Sequence, residues 1–256
     1  MFFLNGDSKP NSPPKRIVSL VPSQTELLYD LGLEEETVGI TKFCVHPDSW
    51  FRSKTRVGGT KALHRDRIAA LQPDLILANK EENVKEQVER LQDIAPVWIS
   101  DIHTLDDALE MIRTVGALTD KKDKADTIAG RIAADFGGLE AFSPARSALY
   151  LIWRKPWMTV GRDTFIHDIL QRAGLTNSYA DGERYPTISN EDIIARNPSL
   201  VLLSSEPYPF KQQHIQELQA LLPAATIQLV DGELFSWYGS RLLHTAAYLK
   251  QLQHTW

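Results

Sequence analysis

A chain of 256 residues, 43% hydrophobic and 24% charged, is long enough for one large domain or two lobes, each with its own core. A formal net charge of -5 and the lack of any long Lys/Arg run leave no electrostatic footprint for nucleic acid or an anionic membrane. No apolar run reaches bilayer-spanning length, and the single cysteine, Cys44, excludes an internal disulfide.

The opening MFFLNGDSKPNSPPKR has three bulky apolar residues followed by polar, Pro-rich sequence, with no cationic start and no small-residue cleavage site, so it does not read as a secretory signal. On that reading the chain works in the cytoplasm if Met1 is its native start. The first predicted unit is a strand at Arg16–Val21 and a helix capped by Ser23, with Glu26 completing a capping box and Gly32 closing it. Strand Thr37–Ile40, a loop through Lys42–Thr60, a helix near Asp66–Leu71, strand Leu75–Ala78, helix Glu82–Ile94 and strand Val97–Ser100 follow. Thr104–Leu139 reads as helical, opened by a Thr104/Asp107 capping box, with Asp120–Asp126 as a solvated face or a break between two helices. Gly137-Gly138 and Pro144 end it. Strand Ser147–Trp153, helix Thr164–Arg172, helix Asn190–Arg196, strand Leu200–Ser204, helix Gln212–Leu222, strand Thr226–Val230 and helix Ser240–Gln253 complete the order.

Alternation of buried strands with amphipathic helices predicts an α/β fold with largely parallel sheets. A long strandless stretch in the middle divides it into an α/β lobe over 1–103, a helical connector with a long backbone helix over 104–143, and a second α/β lobe over 144–256. Internal repetition supports two similar Rossmann-like lobes. DRIAALQPDLIL at 66–77 lies over EDIIARNPSLVL at 191–202, and ELLYDLGL at 26–33 echoes DILQRAGL at 168–175. The first match sets Asp66 and Glu191 at equivalent helix starts. Two lobes joined by one helix predict a ligand cleft between them, where small-molecule sites favour domain interfaces.

For catalysis there is no G-x-S-x-G, P-loop, H-E-x-x-H or post-strand G-x-G-x-x-G, and Ser204-Ser205 with Glu206 has no assigned base. Cys44 and His46 form a C-x-H pair, too few for a metal site on their own. His64, His103, His167, Glu206 and Glu233 are further ligand types. Trp153, Trp157, Trp237 and Tyr238 follow strands at the carboxyl edge of the second lobe, where such folds bind ligands, although loop-anchoring core is the competing role for each. Arg154, Lys155, Arg162 and Arg241 are candidates for meeting an acidic group on a ligand, with solvated charge as their ordinary role.

In order, RIVSLVPSQTELLYDLG, GITKFCVHP, GGTK, RIAALQPDLILA, WRKPWMTVGRDTFIHDIL, SLVLLSSEPYPF and DGELFSWYGSR resemble the helical-backbone substrate-binding proteins of ABC importers, which deliver cobalamin, haem or ferric siderophores. The resemblance runs from Arg16 to the end and is nearest the cobalamin-binding branch and the helical-backbone metal receptors. It implies a non-enzymatic, monomeric protein without intrinsic cofactor, held outside the cytoplasm in the periplasm or on a membrane anchor, that passes a chelate to a permease. Ligand contacts then fall on Phe43, Trp153, Trp157, Glu233, Phe235, Trp237, Tyr238 and Arg241, and permease docking on Asp66 and Glu191. Direct metal ligation has only Cys44 and His46 as weak candidates. Asp66 stands where the family has glutamate, and Thr60 and Asn79 stand where the cobalamin binder has tryptophans. The competing reading is a cytoplasmic corrinoid or chelate handler, or a chelatase-like enzyme on the same fold. Trp237 and Tyr238 are expected to form a ligand wall on the second lobe, removable at little cost in stability.

Overall fold

In a computed structural model the described residues are 1–4, 10, 12–140, 142 and 145–256. Pro144, expected to help end the helical region, lies outside the described residues. Contacts divide the chain into two compact units. The first holds Met1–Ile102, Asp106–Arg131 and Trp237–Arg241, and the second His103–Leu105, Ile132–Ser236 and Leu242–Trp256.

In the first unit, runs such as Leu75–Asn79 and Val97–Ser100 are buried at every position, as strands covered on both faces must be. They form a six-stranded sheet in the order Phe2–Phe3, Val97–Ser100, Leu75–Asn79, Ile17–Ser19, Thr37–Ile40, Thr55–Arg56. All neighbours run parallel except the amino-terminal edge strand, where Phe2 and Phe3 face Ile99 and Trp98 antiparallel. The loop expected at Lys42–Thr60 contains a helix, Asp48–Ser53, and leads into a small hairpin of Gly58–Gly59 with Ala62–Leu63.

The second unit's sheet is mixed, in the order Thr187–Ile188, Trp157–Thr159, Arg146–Trp153, Leu200–Ser204, Thr226–Val230, with Leu175–Asn177 also on the long strand. The three long strands are parallel, and Trp157–Thr159 is antiparallel to both neighbours. Leu149, Leu151, Val201 and Leu203 pack against Ile193 and Leu218 from the helices to make its core.

Two helices, Leu105–Leu118 and Lys122–Gly137, occupy the strandless stretch, so of the two readings of Asp120–Asp126 the break between helices holds, at its amino end. Asp120 takes a left-handed φ of 56° and the Lys121 N–H returns to the Gly116 carbonyl at 2.8 Å, which stops the first helix. The chain passes from the first unit to the second inside the second helix, between Arg131 and Ile132.

Three other expectations shift for physical reasons. The helix read from Ser23 starts at Pro22 with Val21 as its cap and no side-chain cap bond, because proline's fixed φ suits the first helical position. Gly32 does close it, in the left-handed conformation at φ 80°. The helix expected over Glu82–Ile94 is confined to Lys85–Glu89, because Asn79 Oδ1 accepts the N–H groups of Glu81 and Glu82 and holds that stretch as a turn. The last helix begins at Leu242, after a short helix at Glu233–Ser236.

Two glycines in the helical pair test this packing. A Cβ on Gly116 would lie 2.2 Å from Ala125 Cβ, whereas one on Gly130 meets nothing within 4 Å. Gly116→Ala is expected to cost about 1–3 kcal/mol by overpacking. Gly130→Ala should gain roughly 0.5–1 kcal/mol from helix propensity. Urea denaturation of the two variants should give opposite shifts in midpoint.

Candidate functional site

In open α/β sheets ligands gather outside the carboxyl ends of the parallel strands, and the sequence-derived residues divide there between the units. In the first unit Thr37–Ile40 delivers the Thr41–Val45 turn. Phe43 stands at its tip and is 50% exposed. Cys44 points inward, its Sγ 3.1 Å from Thr25 Oγ1 and 3.2 Å from Thr41 Oγ1, and burial pushes its thiol pKa up. His46 meets Trp237 edge-on with centroids 5.4 Å apart. Among the described residues no three His, Cys, Asp or Glu side chains are grouped to hold a metal ion.

The segment Trp237–Arg241 packs within the first unit, not the second as expected. It crosses the carboxyl ends of three neighbouring strands. Tyr238 donates its hydroxyl to Glu82 Oε1 at 2.6 Å, beyond Leu75–Asn79. A Cβ on Gly239 would lie 2.7 Å from the Ser23 carbonyl, beyond Ile17–Ser19, and Trp237 lies on His46, beyond Thr37–Ile40. Arg241 donates Nε and Nη2 to Glu26 at 2.9 and 2.7 Å, both side chains being 15% exposed. Burial raises the Glu26 pKa against the opposing pull of Arg241. Trp237 is 8% and Tyr238 6% exposed, so the expectation that this pair can be removed cheaply is corrected by their burial. Burial likewise raises the Tyr238 pKa well above its ordinary value.

Asn79 and Thr60, where tryptophans were sought, serve the backbone. Asn79 Nδ2 donates to Ser100 O and Oγ at 3.2 and 3.0 Å, and its N–H goes to Asn83 Oδ1 at 2.9 Å. Asn83 Nδ2 donates to the carbonyls of Leu20 and Thr60 at 3.3 and 3.0 Å.

In the second unit Trp153 ends the long strand, 40% exposed, against Tyr208 at 5.6 Å. Trp157 is buried on the next strand: it stacks on Phe210 at 6.2 Å, gives its indole N–H to Asn190 Oδ1 at 2.8 Å and carries the Arg154 guanidinium 4.0 Å from its ring. Phe235 is also buried, between Tyr150 at 5.1 Å and Tyr248 at 6.3 Å. Glu233 starts the short helix with its N–H on Asp231 Oδ1 at 3.0 Å. Ser204 is engaged on both sides, accepting from Tyr150 Oη at 3.0 Å and donating to the Glu206 carbonyl at 2.5 Å. Ser236 donates to Glu206 Oε1 at 3.0 Å.

Of the basic candidates, Arg154 forms a two-pronged pair with Glu217, Arg162 pairs with Glu183, and Arg241 with Glu26. Lys155 is exposed. Asp66 and Glu191 are exposed in the first turns of Arg65–Ala70 and Asn190–Arg196. The Glu191 main-chain N–H and the Ser189 hydroxyl hold the Glu191 carboxyl below its ordinary pKa. Sequence reasoning missed Glu26, Glu82, Asn83 and Gln87. The partners of the first two lie 215 and 156 residues away, so no local pattern marks them.

The model of the periplasmic binding protein family matches residues 17–226. A vitamin B12-binding protein of Pectobacterium carotovorum subsp. carotovorum (strain PC1) is 27% identical over 241 residues, 91% of this chain and 86% of that protein. An uncharacterized ABC transporter substrate-binding lipoprotein of Bacillus subtilis (strain 168) is 25% identical over 209 residues, 77% of this chain and 66% of that protein. Among solved structures the periplasmic heme binding protein HutB of Vibrio cholerae superposes with a TM-score of 0.79 at 21% identity, covering 93% of this chain and 98% of that one. No helix among the described residues is long and apolar enough to cross a membrane. With the family match spanning most of the chain and the two-unit α/β architecture, this protein belongs to the periplasmic binding protein family.

Proposed function

We propose that the chain reversibly captures a metal chelate of the corrinoid, haem or ferric-siderophore kind, a corrinoid first among them, and presents it outside the cytoplasm to the permease of an ABC importer. One observation carries the reading. Phe43, just past one strand, and Trp153, the last residue of another, are large aromatic rings left exposed, one on each unit, while the other aromatics singled out are buried. An exposed ring at a strand end offers a flat macrocycle stacking and apolar contact. A corrinoid comes first because the Pectobacterium relative, whose match takes in 91% of this chain, is a vitamin B12-binding protein. The protein acts as a monomer and performs no chemical step. Asp66 and Glu191 are the acids offered to the permease, where exposed charge governs partner choice and association rate more than affinity.

Purified without added ligand, the protein should be titrated calorimetrically, and followed by visible spectra, with cyanocobalamin, dicyanocobinamide, haemin and a ferric hydroxamate. Saturable binding of one of them is expected. Silence with all four overturns the reading, and turnover of a chelate replaces it with the chelatase-like one.

Phe43→Ala/Trp153→Ala should weaken that binding more than tenfold and change stability by no more than about 0.5 kcal/mol per site, as exposed positions do. Trp237→Ala/Tyr238→Ala should instead cost about 3–5 kcal/mol for each ring removed from a buried site, read by urea denaturation.

Asp66→Ala/Glu191→Ala is expected to leave ligand affinity unchanged and to abolish ligand uptake in cells carrying the cognate importer. Undiminished uptake would remove these two acids from the docking role.

A further inference from the structure

Phe43 does not stand alone on its loop. A Cβ placed on Gly59 would lie 3.1 Å from Phe43 Cε2 and 3.2 Å from Lys42 Cε, so both side chains rest against backbone that only glycine leaves open. The Lys42 ammonium sits 5.0 Å from the Phe43 ring centre, and the Lys42 N–H donates to the Gly58 carbonyl at 2.8 Å. Gly58 itself has φ 113°, and a Cβ there would meet the Ala62 carbonyl at 2.3 Å, so the tight hairpin requires glycine at this place too.

The hairpin beneath the ring is clamped from the other side. Asn83 donates to the Thr60 carbonyl at 3.0 Å, Gln87 Nε2 donates to the Lys61 carbonyl at 3.0 Å, and the Leu63 N–H returns to Gln87 Oε1 at 2.8 Å. Three of its residues are thereby fixed by side chains from the Asn79–Glu89 stretch. The backbone against which the ring rests is thus itself held in place. Holding contact groups in place before binding is what lowers the ordering cost of capture.

We infer that Gly59 is a positioning residue that sets the Phe43 ring for apolar contact with a planar chelate, with the Lys42 ammonium held over the ring to receive an oxygen on the chelate's rim. This rests on the ligand-capture reading above. The oxygen belongs to a carbonyl, carboxylate or phosphate group, the acceptors that suit an ammonium. The atoms that a Cβ on Gly59 meets are the far ends of flexible side chains, so Gly59→Ala is expected to move the ring without breaking the fold.

The test is a double-mutant cycle on the full chain. Affinity for whichever of cyanocobalamin, dicyanocobinamide, haemin or ferric hydroxamate binds the wild type is measured for Gly59→Ala, Phe43→Ala and the double variant, alongside thermal melting. Gly59→Ala should lose about tenfold in affinity with little change in melting temperature, and should cost less in the Phe43→Ala background than alone, the remainder acting through Lys42. A twofold or smaller change, or losses that add in full, overturns the inference. Lys42→Met, which keeps the stem and removes the charge, provides a second test should Gly59→Ala fold poorly. A severalfold loss of affinity is expected, and unchanged affinity counts against the inference. A wild type that binds none of the four ligands defeats the capture reading instead, so the two failures are distinct.

Discussion

The pairing of Glu26 with Arg241 is the constraint on which the carboxyl-end edge of the first unit's sheet depends. Two residues 215 positions apart meet in a two-pronged contact where each is largely withdrawn from water. Desolvation makes such a pair a weak source of net stability, yet removing one partner strands a charge and costs about 3–5 kcal/mol, so the pair specifies geometry more than it adds energy. What it specifies is the seat of Trp237–Arg241. With Tyr238 on Glu82 and Trp237 on His46, that segment occupies the ends of three parallel strands. Past the last of these three strands, Phe43 keeps its ring exposed.

The second unit reaches a similar outcome by other contacts. Trp157 and Phe235 lie in its interior, and Arg154 is held between Glu217 and the Trp157 ring. Trp153, two residues beyond the buried run, keeps its face in solvent against Tyr208. Ser204, Glu206 and Ser236 bond to one another and to Tyr150, so the loops around that tryptophan are cross-linked by short polar contacts. A partly buried network of this kind favours one arrangement because its alternatives leave polar atoms unpaired.

Much of this was legible in the sequence where burial is continuous or a cap is local. The runs at Leu75, Val97 and Leu200 give strands because every residue is covered, and Gly32 closes its helix through backbone freedom alone. The pieces that escaped are two- and three-residue strands such as Gly58–Gly59, Leu175–Asn177 and Thr187–Ile188, too short for a period to register. Ser23 followed by Glu26 has the spacing of a capping box, but Pro22 takes the helix start and Glu26 turns to Arg241. The candidate site was legible as a set of loops and not as a set of exposed faces. Trp153 and Trp157 share one short segment, yet their exposures are decided by strand partners and by Phe210, which sequence spacing does not report.

The internal repeat shows how far duplication carries chemistry. Helix, proline and strand recur at 66–77 and 191–202, and the acid falls in the first turn both times. The helix starts differ, however. Ser189 and Asp192 form a complete capping box, and the Ser189 hydroxyl together with the Glu191 main-chain N–H holds the Glu191 carboxylate ionised further into acid. His64 makes no side-chain cap bond at the other start, and Asp66 is one methylene shorter. Equivalent places therefore carry unequal acids: Glu191 lies within a complete capping box, and Asp66 follows a cap that makes no side-chain bond. Duplication of the helix start thus repeats the place of the acid without repeating the contacts around it.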